Sequence, residues 1–300
     1  MPDHLRYGET LTDYYRPALS TRVDRILLDS HSVNHCWIIT QASNFHPWDY
    51  QWPDQPGDHG TLDFEQNHWH IDDCRLAATS ISEPADQPWF LGTDIPVKRG
   101  ETGWTFCIAH RLNIPADKLS FEVGCQVTLR FDEGYRQSLN RGHSACHLMS
   151  LALNQALTSH WRKPIAQDAC GNPDFDRLAI SESSIEPNGS RDHYRLGKSL
   201  RKKGFDRQTF IDQLANIEDS INHQLQNWIA QGNDIKVERE PLALLARRYW
   251  HCKLDGVSIS IPCGGTHCDN LSQLRGLEVR LQLDTSGDHL TVITQLPDDR

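Results

Sequence analysis

Two pairs of metal-ligating side chains, each with its members four positions apart, constrain this chain more than any other feature. Cys263-Gly264-Gly265-Thr266-His267 sets a thiol and an imidazole at that interval, and Arg141-Gly142-His143-Ser144-Ala145-Cys146-His147 supplies two imidazoles at the same interval. Leu139, Leu148, Leu151 and Leu157 around the histidines follow a helical period, so the i, i+4 spacing predicts both rings on one helix face, about one turn apart. Cys263 and His267 follow the strand-like Val257-Ser258-Ile259-Ser260-Ile261, and their intervening glycines let backbone wrap close to an ion. Three imidazoles and one thiolate suit a borderline-soft cation such as zinc.

Either pair alone is a weak signal, because two histidines at helical spacing are commonly ordinary surface or core imidazoles. Together they describe a site built from a helix and a glycine-rich loop, which requires a fold that packs one against the other. His68-Trp69-His70 with Cys74 is a second metal-like cluster, but strand alternation would make His68 and His70 ordinary imidazoles on one face. His251, Cys252 and Cys268 lie near the second pair and remain alternative ligands.

Residues 20 to about 132 read as short strands, including His35–Thr40, Gly103–Ile108 and Phe121–Phe131, separated by Pro, Gly and Asp clusters. This pattern predicts a small barrel-like β domain over residues 1–134. From about residue 136 a helix carries the histidine pair and ends before Pro164. A second, roughly Asp206 to Gln231, places Phe210, Leu214, Ile217, Ile221, Leu225 and Trp228 at helical spacing and stops at Gly232. Between them, Ser181–Ser184 and Pro187-Asn188-Gly189 are expected to form a surface loop. Leu242 to Arg248 is expected as a short helix, and Val257–Ile261, Glu278–Asp284 and His289–Gln295 as strands, the last two joined by a hairpin turn at Ser286-Gly287. Helices on one face of a mainly antiparallel sheet make residues 135–300 a second, α+β domain, and the chain as a whole α+β.

At 300 residues the chain is long enough for two cores. No apolar run approaches the length of a membrane span, and the N-terminus is polar, without the pattern of a secretory signal. Nine cysteines lack a disulfide-framework spacing, which favours reduced thiols and a cytoplasmic location. The formal net charge of −10 opposes indiscriminate nucleic-acid binding. Locally the sign reverses: Arg191, Arg195, Lys198, Arg201, Lys202, Lys203 and Arg207 cluster with only Asp192 and Asp206 among them. Screening over about 8 Å lets such a segment govern contact with a nearby phosphate, and RNA contact by it is weighed against a solvated loop. There is no Walker-type phosphate loop and no dinucleotide fingerprint.

The ligand pattern, with Cys-Gly-Gly-Thr-His as its most specific element, resembles the editing domain of alanyl-tRNA synthetases and its freestanding relatives, the AlaX trans-editing proteins, and more distantly the editing domain of threonyl-tRNA synthetases. The likeness extends to Val123–Asp132 followed by Arg136 and Arg141, to Ile217-Glu218-Asp219-Ser220-Ile221-Asn222, and to Gln55-Pro56-Gly57-Asp58-His59-Gly60, which is similar to the end of the family's glycine-rich loop. The chain departs from the family at Trp52-Pro53-Asp54, where glycines are usual. It carries Ser144 and Cys146 in place of threonines, and Lys163 where the synthetase version has a glutamine.

The resemblance implies His143, His147, Cys263 and His267 as zinc ligands, Gln55, Arg141 and Thr266 as substrate contacts, and Ser144, Cys146 and Lys163 as pocket residues of catalytic importance. Arg191, Arg195, Lys198, Arg201, Lys202 and Lys203 are the candidate tRNA contacts. The implied activity is metal-dependent hydrolysis, in trans, of the ester joining a wrong amino acid to tRNA, foremost seryl- or glycyl-tRNA(Ala). A zinc-stabilised tRNA-binding module that has lost deacylation, and a zinc hydrolase of small esters or amides, are the competing readings.

Overall fold

The computed structural model describes residues 9–81, 87–238 and 242–297. These divide into two units, one of residues up to 136 together with 242–248, the other of residues 137–238 and 249–297.

In the first unit the strands Ala18–Leu28, Cys36–Thr40, Gly60–Phe64, Asn67–Ser80, Trp104–Leu112 and Gln126–Phe131 pair antiparallel, and the Gly60–Phe64 to Asn67–Ser80 pairing closes them into a six-strand ring. Period-2 alternation turns Val23, Ile38, Leu62, Ile71, Leu76, Phe106, Ile108, Val127 and Leu129 into one core. The sequence-based expectation of mainly antiparallel strands in this region is met by the ring.

Inside it, the segment Gln55–Gly60 is fixed by packing. A Cβ on Gly57 would lie 2.1 Å from the Cys74 carbonyl oxygen, and one on Gly60 2.1 Å from that of Arg130. Between these glycines the buried Asp58 carboxylate takes two hydrogen bonds from Arg136, which also donates to the carbonyls of Tyr14 and Asn44. The guanidinium lies 4.1 Å above the Phe131 ring. Residues 242–248 are a turn rather than the expected short helix: Ala243 bridges to Leu11, and Arg248 donates to Thr12 Oγ1 and to Ala243 O. Tertiary hydrogen bonds to the residue 9–12 segment outcompete the local helical period.

The second unit holds two antiparallel sheets. One has the order Ile180–Glu186, Gly189–Arg195, His289–Gln295, Glu278–Leu283; the other runs Ile235–Val237, Tyr249–Leu254, Val257–Pro262. Helices are α1 (Glu133–Ala156), α2 (Phe175–Ala179), α3 (Lys198–Lys202), α4 (Arg207–Asp212) and α5 (Leu214–Ala230). The polar segment expected as a surface loop is instead the hairpin Ile180–Arg195, turning at Pro187-Asn188, where Asn188 has φ +60°. Its serines suit a loop by local propensity, whereas pairing with the Gly189–Arg195 strand bonds their backbone. The long helix is interrupted at Gln213, and α5 ends before Gly232, at φ +60°. Its Asn222 hydrogen-bonds both the N–H and the carbonyl of Val279, and Glu218 accepts from Leu281 N–H, which closes the outer edge of the Glu278–Leu283 strand.

Replacing Arg136 with Met should destabilise the first unit by about 3–5 kcal/mol, because Asp58 is left charged and buried without its partner; denaturant unfolding measures this. His110 supplies a pH dependence. Its Nδ1 bonds the Ile38 carbonyl at 2.9 Å and its Nε2 the Ser43 hydroxyl at 2.8 Å, and burial pushes its pKa down to about 4. A depressed histidine binds fewer protons folded than unfolded, so its contribution is present above about pH 6.5 and is lost as pH falls towards 4. Between pH 7 and pH 4.5, wild type should lose about 2 kcal/mol more stability than H110Q, read from unfolding curves at the two pH values.

Candidate metal centre

Helix α1 crosses the second unit with Leu139, Ala145, Leu148, Met149, Ala152 and Leu153 fully buried. Gly142 sets its depth. A Cβ there would lie 2.4 Å from the Glu186 carbonyl oxygen and 2.5 Å from that of Gly189, so only a glycine lets the helix seat on the hairpin. Asn188 N–H donates to the Ser138 carbonyl at 2.9 Å and secures the same contact. The next residue is His143, and His147 follows one turn later.

From the other side, the strand Val257–Pro262 leads into the loop that carries Cys263 and His267, with Thr266 buried between them. Cys263 Sγ lies 3.4 Å from His143 Nε2 and 3.2 Å from His267 Nε2. The ligand atoms of His143, His147, Cys263 and His267 all lie within 4.8 Å of one another, and they are the one such group that could hold a metal ion among the described residues. The pairs expected from sequence to converge therefore do so.

Electrostatics favour a cation. Burial lowers the His143 pKa to about 4, and burial together with the neighbouring His143 lowers that of His147 well below the usual value. At neutral pH both rings are uncharged and offer lone pairs. His147 Nε2 is sealed from solvent without a hydrogen-bond partner, a state that costs free energy in a finished site and that a bound ion relieves. His143 and His267 are buried, whereas His147 and Cys263 are half-buried.

Ser144 contacts a candidate ligand. Its hydroxyl accepts Cys268 N–H at 3.0 Å and sits 3.3 Å from His267 Nδ1. Were Nε2 to hold an ion, Nδ1 would carry the proton and donate to Ser144, the outer-shell arrangement that fixes an imidazole's tautomer. Cys146 turns elsewhere: its thiol is 3.6 and 3.8 Å from the carboxylate oxygens of Asp192, which is fully buried and also accepts from Ser183 and Ser190 hydroxyls at 2.6 and 2.7 Å.

The remaining sequence-derived residues are dispersed. Arg141 donates to the carbonyls of Gln273 and Pro297, tying α1 to the C-terminal segment. Lys163 is exposed, with its ammonium on the Lys202 carbonyl at 3.2 Å. Arg191 and Arg195 lie on a strand; Lys198, Arg201 and Lys202 belong to α3, with Lys203 as its cap. Gln55 is buried in the first unit. The alternative ligands stand apart from the group: His251 pairs with Glu238, and Cys252 and Cys268 are buried with thiol pKa values pushed up to about 11 and about 12, chiefly by burial. His68 bonds Asp63.

Sequence reasoning missed two neighbours. Trp250, fully buried, sets its ring 5.3 Å from that of His147 and 6.3 Å from that of His267. Its only signal is alternation along Tyr249–Leu254, the strand paired with the one that leads into Cys263. Asp192 was read as an acid within a basic run, and nothing local marks it as buried.

Purified protein should bind one divalent ion per chain, and H147A and C263S should each lose it while keeping the wild-type circular dichroism spectrum. G142A should weaken binding at least tenfold by displacing α1. Elemental analysis after dialysis reads all three.

No family model matches the chain. Curated relatives do. An alanine–tRNA ligase of Lactobacillus gasseri is 26% identical over 170 residues, or 54% of this chain. A probable chloroplastic/mitochondrial alanine–tRNA ligase of Ostreococcus tauri is 26% identical over 175 residues, also 54% of this chain. Alanine–tRNA ligase 1 of Lachnoclostridium phytofermentans reaches 33% over 98 residues, 30% of this chain. The matches span only 16%, 15% and 10% of those relatives' own lengths. Over about half its length the chain is therefore related to alanyl-tRNA synthetases.

Proposed function

We propose that the protein is a zinc-dependent deacylase, an editing-domain relative acting in trans on mischarged aminoacyl-tRNA, with seryl- and glycyl-tRNA(Ala) as foremost substrates. One observation carries the proposal: the convergence of His143, His147, Cys263 and His267 into a single ligand group, in a chain related to alanyl-tRNA synthetases. A four-coordinate zinc with bonds of about 2.0–2.3 Å holds its ligands roughly 3.5 Å apart. The 3.4 and 3.2 Å separations at Cys263 fit that spacing, as does the partnerless His147 Nε2.

A zinc held by these residues would supply Lewis acidity towards a carbonyl oxygen and, with a fifth position open or one protein ligand loosely held, would lower the pKa of a coordinated water. The chain's own residues do the rest. Ser144 holds His267 in the tautomer that presents Nε2. Gly142 sets the depth of His143 and His147. The half-buried Cys263 offers the side for an ester to approach, and the buried Trp250 packs its ring 5.3 Å from that of His147. A synthetase pocket built for alanine rejects serine, one hydroxyl larger, by only about 100-fold, so a second hydrolytic site has a chemical purpose.

Incubation with seryl-, glycyl- and alanyl-tRNA(Ala) tests the proposal. Release of serine or glycine with alanine retained, abolished in H147A and reduced about 10–100-fold in S144A, is the expected result. Absence of release from every mischarged tRNA by zinc-loaded protein sinks it.

A further inference from the structure

The basic run that sequence reading treats as one candidate RNA contact is divided between a strand and a helix in the folded chain. Arg191 lies on the Gly189–Arg195 strand with its Nε 3.7 Å from Glu186 Oε1. Lys198, Arg201 and Lys202 project from α3, and Lys203 caps it. To this second group the fold brings a segment from the end of α1. Trp161 bridges antiparallel to Phe205, Arg162 N–H donates to the Gly204 carbonyl at 2.9 Å, and Asp206 N–H donates to the His160 carbonyl at 2.8 Å. Lys163 Nζ donates to the Lys202 carbonyl at 3.2 Å.

The junction is rigid. Gly204 has φ +100°, and a Cβ on it would lie 3.0 Å from Lys163 Cβ, so the glycine admits the lysine stem. A cluster of mutually tilted rings adjoins it, Trp161 and Phe205 at 5.1 Å, Phe175 and Phe205 at 5.2 Å and Phe205 and Phe210 at 5.7 Å.

Arg162, Lys163, Lys198, Arg201, Lys202 and Lys203 are all exposed, and the acid at their margin, Asp206, is paired by Arg162. The helix dipole favours Arg201 and Lys202 in the last turn of α3 but disfavours Lys198 in its first, and like charges gathered at one junction repel. In a chain of net charge −10, six exposed cations gathered around one paired acid make a receptor for anions. Its cations come from two segments, whose spread suits a row of phosphates better than one small anion.

We propose that Arg162 and Lys163 join Lys198, Arg201, Lys202 and Lys203 in a surface that binds the phosphate backbone of a folded RNA. This rests on the tRNA reading above and assigns Lys163 to holding RNA rather than to ester cleavage. The contacts are with phosphate, so affinity depends steeply on salt and little on base sequence.

Filter binding of uncharged tRNA at several salt concentrations, run alongside hydrolysis of serine esterified to adenosine, tests it. R162S/K163S should weaken tRNA binding by about tenfold or more at low salt and reduce the salt slope by about 1–2. R201S/K202S/K203S should act in the same direction, while R191S binds as wild type and all variants cleave the small ester at wild-type rate. Wild-type affinity and slope in R162S/K163S overturn the surface, as does equal weakening by R191S. Patch-dependent tRNA binding with no cleavage of either ester supports the surface and removes the deacylase reading instead.

Discussion

The candidate metal centre depends on how closely one helix can approach one hairpin. With backbone oxygens 2.4 and 2.5 Å from where a side chain on residue 142 would begin, α1 is held at a depth that no larger residue permits. The two histidines inherit that depth. The loop bearing Cys263 and His267 then meets them within bonding reach of a single ion. A displacement of about 1 Å would leave the thiol and imidazoles too far apart to share one.

Around that contact, burial works in two directions. It removes charge from His143 and His147, which prepares them as neutral donors, and it leaves His147 Nε2 without a partner, which is costly until an ion arrives. Ser144 shows how a residue between two ligands serves the site indirectly: its hydroxyl bridges the Cys268 amide and His267 Nδ1. Arg136 and Asp58 do comparable work in the first unit. The Gln55–Gly60 motif, which by resemblance suggests substrate contact, owes its two glycines and its aspartate to backbone crowding and a buried ion pair.

Charge is distributed with similar economy. Helix α5 spends Glu218 and Asn222 on the outer edge of the Glu278–Leu283 strand, which removes a sheet edge open to pairing with another chain. The cations of α3 and of residues 162–163 stay exposed. Among the described residues no helix is long and apolar enough to cross a membrane.

The sequence by itself determined the elements and the donor set. Helical spacing placed His143 and His147 on one face, alternation located the strands flanking Cys263, and the run of apolar residues in α5 marked a buried stripe. Those features are local, set by period and residue type within a turn or a strand. Tertiary structure alone decided what depends on contacts distant in sequence. It turned the serine-rich segment 180–186 into a strand by offering it a partner. It denied residues 242–248 a helix by bonding them to residues 9–12, buried Asp192 and Trp250, and carried Lys163 away to the carbonyl of Lys202. Local propensity is worth tenths of a kcal/mol per residue, about as much as one long-range hydrogen bond can reverse, so these placements were not legible until the chain was folded.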